Sequence, residues 1–229
     1  MLKKKLAIIV PIYNEEKNLK KFIKNWSNLK LNIIYKIVFI NDGSNDNSLK
    51  IINKNKFTNI ILINKKNEGH GKTILYGYRY AIKKNYDFIF QVDSDNQFSS
   101  KDFYKIWGSR FKSFDIICGC RHKRKDPVIR VLLTKICLRI FILLITFKII
   151  DDPNTPFRLI NKNFLKKFLS KIKKNNYIAP NILMSLSANK IINHRVTHFK
   201  NKDPRSKWSK IKLFKFCFKL FLDIIKFKF

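Results

Sequence analysis

Two aspartates with one residue between them, Asp93-Ser94-Asp95, follow an apolar run that ends at Val92. In an extended chain, side chains at i and i+2 point to the same side, so both carboxylates can grip one hard divalent cation. Gln97, two residues further on, adds a third oxygen on that side. Aspartates in a strand-end loop are also common turn formers, so the triplet by itself supports either reading.

Three other apolar runs end in the same manner. VPIYNEE (Val10–Glu16), INDGSNDNS (Ile40–Ser48) and NKKNEGHGK (Asn64–Lys72) each follow a run with strand character. The runs Leu6–Val10, Lys36–Ile40, Asn59–Ile63, Asp87–Val92 and Asp115–Cys118 are expected to be buried strands. The segments between them, Glu15–Trp26, Asp46–Asn53, Gly71–Lys84 and Ser100–Arg110, have helical length and pattern, with Ser99 and Asp102 marking one helix start. Such alternation predicts a mostly parallel sheet flanked by helices on both faces, an α/β fold. Ligands of open parallel sheets collect at the carboxyl ends of the strands, where all four polar loops lie.

The ordered set VPIYNEE, NDGSNDNS, NEGHGKTILYGY, QVDSDNQF, GCRHKRKDPVIR, DDPNTPFRL and VTHF resembles glycosyltransferase family 2, in particular its dolichyl-phosphate mannose synthase-like branch. The resemblance runs from Leu6 to about Trp208. It implies a GT-A fold and an inverting transfer from a UDP- or GDP-linked sugar to a polyprenyl phosphate. It also implies that Pro11, Tyr13 and Glu15 line the nucleotide pocket and that Asp42 contacts the base. Asp93, Asp95 and Gln97 would hold Mg²⁺ or Mn²⁺ against the donor diphosphate, and Arg121 and Arg130 match positions that handle phosphates. Cationic groups and a divalent ion suit a leaving diphosphate, which gains negative charge as its bond to the sugar breaks. After VTHF the chain departs from the family, with Asn201 and Pro204 in place of an arginine and a glycine. Lys200, Lys202, Arg205 and Lys207 supply charge there without the two-pronged geometry of arginine guanidinium.

A family member acting on a hydroxyl, as in surface polysaccharide assembly, is the alternative within the enzyme class. It needs a base to take the proton, for which Asp151 or Asp152 would serve. An inactive family member kept as a scaffold is a further alternative, suggested by Asn201 and Pro204. A basic nucleic-acid-binding protein would account for the formal charge of +34 but gives no reason for the ordered loops, so no nucleic-acid partner is expected.

Other motifs are weaker. Gly69–Thr73 resembles the end of a P-loop, but Lys66 stands where the first glycine is required. His194 and His198 are four apart on an expected strand without a third ligand, so they are read as structural rather than zinc-binding. Trp26 and Trp107 lie on amphipathic helices as packing residues.

The chain has 229 residues, 45% of them hydrophobic, which is enough for one α/β domain and excludes a disordered chain. Cys118, Cys120, Cys137 and Cys217 have no metal or disulfide spacing and read as free thiols of a reducing compartment. Met1–Lys5 leads directly into a strand with no cleavage site, so no signal peptide is expected. Residues 127–229 carry 23 of the 49 basic side chains but only 4 of the 15 acidic ones, which directs that part toward an anionic surface. Residues 1–210 are expected to form the catalytic domain and 211–229 an amphipathic helix. In that helix Lys212, Lys215, Lys219, Asp223 and Lys226 form a narrow polar stripe on a body of Phe, Leu and Ile. Such a helix suits a headgroup layer, and a core helix with a thin wet face has the same pattern. The apolar 127–150 segment is a second candidate for lipid contact, its longest uncharged stretch too short to span a bilayer. The expected location is therefore cytoplasmic, on the inner face of the membrane, with anchoring by the chain itself or shared with an integral membrane partner.

Overall fold

The computed structural model describes residues 4–55, 57–122, 142, 143, 147, 149–172, 177–200 and 210–228. Arg130, Cys137, most of the 127–150 segment and the 201–209 stretch with Asn201 and Pro204 lie outside them. The first half alternates as the apolar runs require. Strand β1 (Lys5–Ile12) leads to helix α1 (Glu16–Trp26), β2 (Ile34–Asp42) to α2 (Ser48–Asn53), and β3 (Ile60–Lys65) to α3 (His70–Lys83). Strand β4 (Phe88–Gln91) leads to α4 (Ser100–Gly108) with a 3₁₀ turn at Ser109–Phe111, then β5 (Ile116–His122). Beyond it come β6 (Arg158–Asn161), α5 (Lys162–Lys171), α6 (Pro180–Ser187), β7 (Ile191–Thr197) and α7 (Lys210–Lys228).

The seven strands form one sheet in the order β3-β2-β1-β4-β6-β5-β7. The pairs β1–β2, β1–β4, β2–β3 and β5–β7 are parallel, whereas β6 runs antiparallel to both β4 and β5. This central strand is not among the expected apolar runs. It has four residues, and Arg158, Leu159 and Ile160 are all buried, so it carries no apolar–polar alternation to announce it. Reversal of β6 leaves the carboxyl ends of the other six strands on one edge and brings the amino end of β6 to that edge too.

Side chains alternate across the sheet as its pleat demands. Ala7, Ile9, Val38, Ile40, Ile89 and Ile160 pack under α3, α5, α6 and α7. Leu6, Ile8, Val10, Phe39, Phe90 and Leu159 pack under α1 and α4. Trp26 sits on the second face, stacked on Phe22 with ring centroids 5.6 Å apart and edge-on to Phe103 and Phe157. Trp107 stacks on Phe103. Both tryptophans are core residues.

Ser99 caps α4, its side chain accepting from the backbone N–H of Lys101. Asp102 turns across to accept from the backbone N–H of Thr197 at 2.8 Å, tying α4 to β7. Helix α7 docks on the sheet rather than standing apart: Leu220 and Ile224 enter the same core as α3 and α5. The polar stripe does not face one way. Asp223 points inward and accepts from the backbone N–H of Ile178 at 2.9 Å, while Phe218, Phe221 and Leu222 are exposed.

Candidate active site

The strand ends meet around a cleft of about 440 Å³, within the range of small-molecule sites. Two asparagines adjacent in sequence to lining residues are in left-handed conformation, Asn14 at φ 55 and Asn96 at φ 56, which short polar side chains tolerate better than bulkier ones. Asn14 receives a hydrogen bond at its side-chain oxygen from the Asn45 N–H, and Asn96 donates to the carbonyl of Asn18. The turn after β1 is thereby fastened to the turn after β2, and the first turn of α1 to the turn after β4.

Pro11, Tyr13, Glu15, Asp42, Asp93 and Asp95 all line this cleft. Asp42, at the end of β2, is buried and organises the turn opposite. Its Oδ1 accepts from Lys65 Nζ at 2.5 Å and from the Glu68 N–H, and its Oδ2 accepts from the Gly69 N–H. Burial pushes its carboxyl upward, but the Lys65 ammonium and these donors together outweigh that and hold it below its usual value. Gly69 sits at φ 92, a conformation that favours glycine, and starts α3. Within the glycine-rich turn the two glycines have different tasks. Gly69 lines the cleft, whereas Gly71 serves a different contact: a Cβ there would lie 2.5 Å from the carbonyl oxygen of Tyr177.

Asp93 Oδ1 is buried without a hydrogen-bond partner, with Nε2 of His70 3.6 Å away. A lone carboxylate oxygen of this kind is costly unless a cation completes it. Asp95 lies alongside, its Oδ1 accepting from the Gln97 N–H at 3.1 Å. Gln97 does not line the cleft; its amide nitrogen donates to the carbonyl of Phe199. Among the described residues no three His, Cys, Asp or Glu side chains converge as a metal site. Two carboxylates with a neighbouring amide are nevertheless the oxygen donors that Mg²⁺ or Mn²⁺ takes, and the unsatisfied oxygen of Asp93 fits such an ion.

Arg121 and Asp152 lie outside the cleft lining, on the same sheet edge, and pair with each other at 2.6 Å. Asp151 accepts from the side-chain amide of Asn193. His194 bonds to Ser109 Oγ, and His198 is buried edge-on against the Phe98 ring. Cys118 is buried, which pushes its thiol up to about 11, and Cys120 is pushed up for the same reason, so both stay protonated near neutrality.

Three contributors escaped notice in the sequence. His70 and Thr73 line the cleft from the first turn of α3, and the glycines around His70 were the available signal. Arg158 is fully buried and donates to the carbonyls of Pro153, Thr155 and Asn181 and to Ser185 Oγ. A lone arginine inside the apolar PFRLI was the hint, since a buried guanidinium has to find acceptors.

Comparison with known proteins agrees with this arrangement. The chain is 31% identical over 172 residues to the uncharacterized protein MJ0544 of Methanocaldococcus jannaschii, covering 70% of this chain and 73% of that one. It is 25% identical over 217 residues to an undecaprenyl-phosphate 4-deoxy-4-formamido-L-arabinose transferase of Pectobacterium atrosepticum, covering 92% of this chain but only 64% of that longer relative. Among solved structures, glucosyl-3-phosphoglycerate synthase from Mycobacterium tuberculosis with Mn²⁺, uridine diphosphate and glucosyl-3-phosphoglycerate superposes with a TM-score of 0.70 at 12% identity, over 98% of this chain and 80% of that one. S. aureus TarS 1-349 with UDP-GlcNAc gives 0.61 at 18% identity, over 96% of this chain and 66% of that one. At such identities the likeness is one of fold, the GT-A arrangement of a mixed sheet flanked by helices. The glycosyl transferase family 2 model matches residues 7–190, and with these strand ends gathered on one edge the chain belongs to that family of glycosyltransferases.

Proposed function

We propose that the chain moves a sugar, with inversion, from a UDP- or GDP-linked donor to a polyprenyl phosphate at a membrane surface. The observation that carries the donor half is the unsatisfied Asp93 oxygen beside Asp95, at the floor of a cleft of nucleotide size. Pro11, Tyr13 and Glu15 form the wall against the nucleoside, and Asp42 offers a carboxylate to a base that carries a ring N–H, as uracil and guanine do. Asp93 and Asp95, with Gln97 beside them, would hold Mg²⁺ or Mn²⁺, which when bound offsets charge on the departing diphosphate.

The acceptor half is supported by the relative named for undecaprenyl phosphate and by the state of the two aspartates before β6. Asp152 is held by Arg121 and Asp151 by Asn193, and a carboxylate held in a two-pronged ion pair is a poor proton acceptor. A phosphate oxygen needs no such base. It attacks the anomeric carbon, the bond from that carbon to the diphosphate breaks on the opposite side, and the electron pair leaves with the nucleoside diphosphate. Positioning and charge compensation are then what the protein supplies.

Among the described residues no helix is long and apolar enough to cross a membrane. Lipid contact is assigned to the exposed Phe218, Phe221 and Leu222 of α7, together with the cationic surplus of the C-terminal part. The deciding experiment incubates purified protein with UDP- and GDP-linked sugars, Mn²⁺, and either undecaprenyl phosphate or a soluble sugar acceptor. Transfer to the lipid phosphate supports the reading. Transfer only to the hydroxyl acceptor, abolished by Asp151→Asn or Asp152→Asn, overturns it in favour of glycan assembly.

A further inference from the structure

A second cleft, of about 820 Å³, adjoins the first and shares Gly69 and His70 with it. Because His70 Nε2 lies 3.6 Å from Asp93 Oδ1, the ridge between the two clefts stands at the candidate metal carboxylate. The far wall is α7, where Lys219 and Lys226, seven residues and about two turns apart, both line the opening. The near wall is Lys72 on the first turn of α3, and Tyr177 and Ile178 supply an apolar stretch between them.

The lining also holds two carboxylates, and both are occupied. Glu68 is bridged by Lys65 at 3.1 Å and Lys72 at 3.5 Å. Asp223 is turned inward onto the Ile178 N–H, where it fastens α7 to the segment before α6. The two exposed α7 lysines flank Asp223 and outnumber it, leaving a cationic surplus on this wall of the opening. A half-enclosed opening with ammonium groups on both sides and apolar surface between is suited to an anionic head attached to a hydrocarbon chain.

We propose that this second cleft receives the phosphate of the acceptor, between Lys72 on α3 and Lys219 and Lys226 on α7, with Tyr177 and Ile178 against the first carbons of its chain. The assignment rests on the lipid-phosphate reading of the reaction. It makes α7 a wall of the active site, so that the helix facing the bilayer also delivers the acceptor to the donor. The phosphate arrives beside Asp93, where the donor diphosphate would be held, and the lysines offset the repulsion between the two anions.

The test uses the full chain and farnesyl phosphate, a short isoprenyl phosphate that needs no bilayer. Lysine acylation is mapped by mass spectrometry with farnesyl phosphate, farnesol, inorganic phosphate, anionic vesicles or UDP present. Farnesyl phosphate should protect Lys72, Lys219 and Lys226 while leaving the exposed Lys215 reactive, and farnesol and UDP should protect none of the three. Lys219→Gln with Lys226→Gln should raise the KM for farnesyl phosphate roughly tenfold or more, with UDP affinity within about twofold. Protection by anionic vesicles but not by farnesyl phosphate would make these lysines a headgroup contact and overturn the proposal. Protection by inorganic phosphate as strong as by farnesyl phosphate would deny the lipid chain its part, and an unchanged KM in the double variant would also sink it. Transfer only to a hydroxyl acceptor would remove the lipid-phosphate reading, while the protection pattern would still report on the cleft.

Discussion

Arg121 grips Asp152 with two parallel hydrogen bonds, Nε to Oδ2 at 2.7 Å and Nη2 to Oδ1 at 2.6 Å, and its backbone N–H adds a third at 3.3 Å. Both side chains are only 10% exposed. The pair joins the end of β5 to the approach to β6. Removal of one partner strands the other as a buried charge, at a cost of about 3–5 kcal/mol. Arg121→Ala and Asp152→Ala should each destabilise by roughly that amount, and the double variant by clearly less than their sum. Urea unfolding of the four proteins checks this; additive losses would show that the pair is not coupled.

Asp93 should respond in opposite directions to two measurements. Without metal, Asp93→Asn relieves a buried unsatisfied carboxylate oxygen, so thermal stability should be unchanged or slightly raised, by up to about 1 kcal/mol. With Mn²⁺, the parent protein should gain stability by mass action, about 2.7 kcal/mol at a hundredfold excess over Kd, and the variant should gain little. Turnover should be lost in Asp93→Ala and Asp95→Ala. Full activity of either variant, or of the parent in EDTA, would contradict the assignment.

Acid should act through Asp42. Its carboxyl, lowered from 3.8 in the folded chain, contributes stability that is present above the unfolded value and is lost as pH falls below about 4 through the folded one. Lys65→Met removes the ammonium that, with the Glu68 and Gly69 N–H donors, outweighs burial, so Asp42 should protonate at higher pH and the acid-unfolding midpoint should move upward. Circular dichroism against pH reads the shift, and an unmoved midpoint would mean that Lys65 contributes nothing to Asp42.

Helix α7 should behave as core on one side and as surface on the other. Ile224→Ala, at a fully buried position, should cost about 2–5 kcal/mol, and truncation after Trp208 should destabilise the whole chain. Phe218→Glu with Phe221→Glu should leave stability within about 0.5 kcal/mol for each exposed site but reduce sedimentation with anionic vesicles. Chemical denaturation and vesicle pelleting separate the two effects. If both substitutions unfold the chain, the outward face is part of the core.

The strands from β1 to β5 and their helices were legible because each is a continuous apolar run followed by a polar loop, the pattern that burial on both faces imposes. The same loops marked the edge where Asp42, Asp93 and Asp95 converge. Strand β6 was not legible: four residues give no period, and Arg158 looks misplaced until Pro153, Thr155 and Asn181 are seen to surround it. The direction of Asp223 was hidden for a related reason. Helical spacing places it in line with the stripe lysines, and only the Ile178 N–H, 45 residues away in sequence, turns it inward. The pairing of Arg121 with Asp152 was equally invisible, since each had been assigned a task of its own.

Because β6 runs against its neighbours, the chain leaves the active-site edge after His122 and comes back to that edge at Asp151. Arg121 and Asp152 fasten the two ends of this excursion beside each other like a clasp. The Arg121–Asp152 pair lies at the base of this excursion. Ile142 and Ile150 enter the core beneath α3, α5, α6 and α7, so the excursion is tied to the frame away from the clasp as well. The clasp thus fixes where the chain departs from and returns to the edge on which the strand ends line the cleft, so weakening it should loosen that edge before the rest of the sheet.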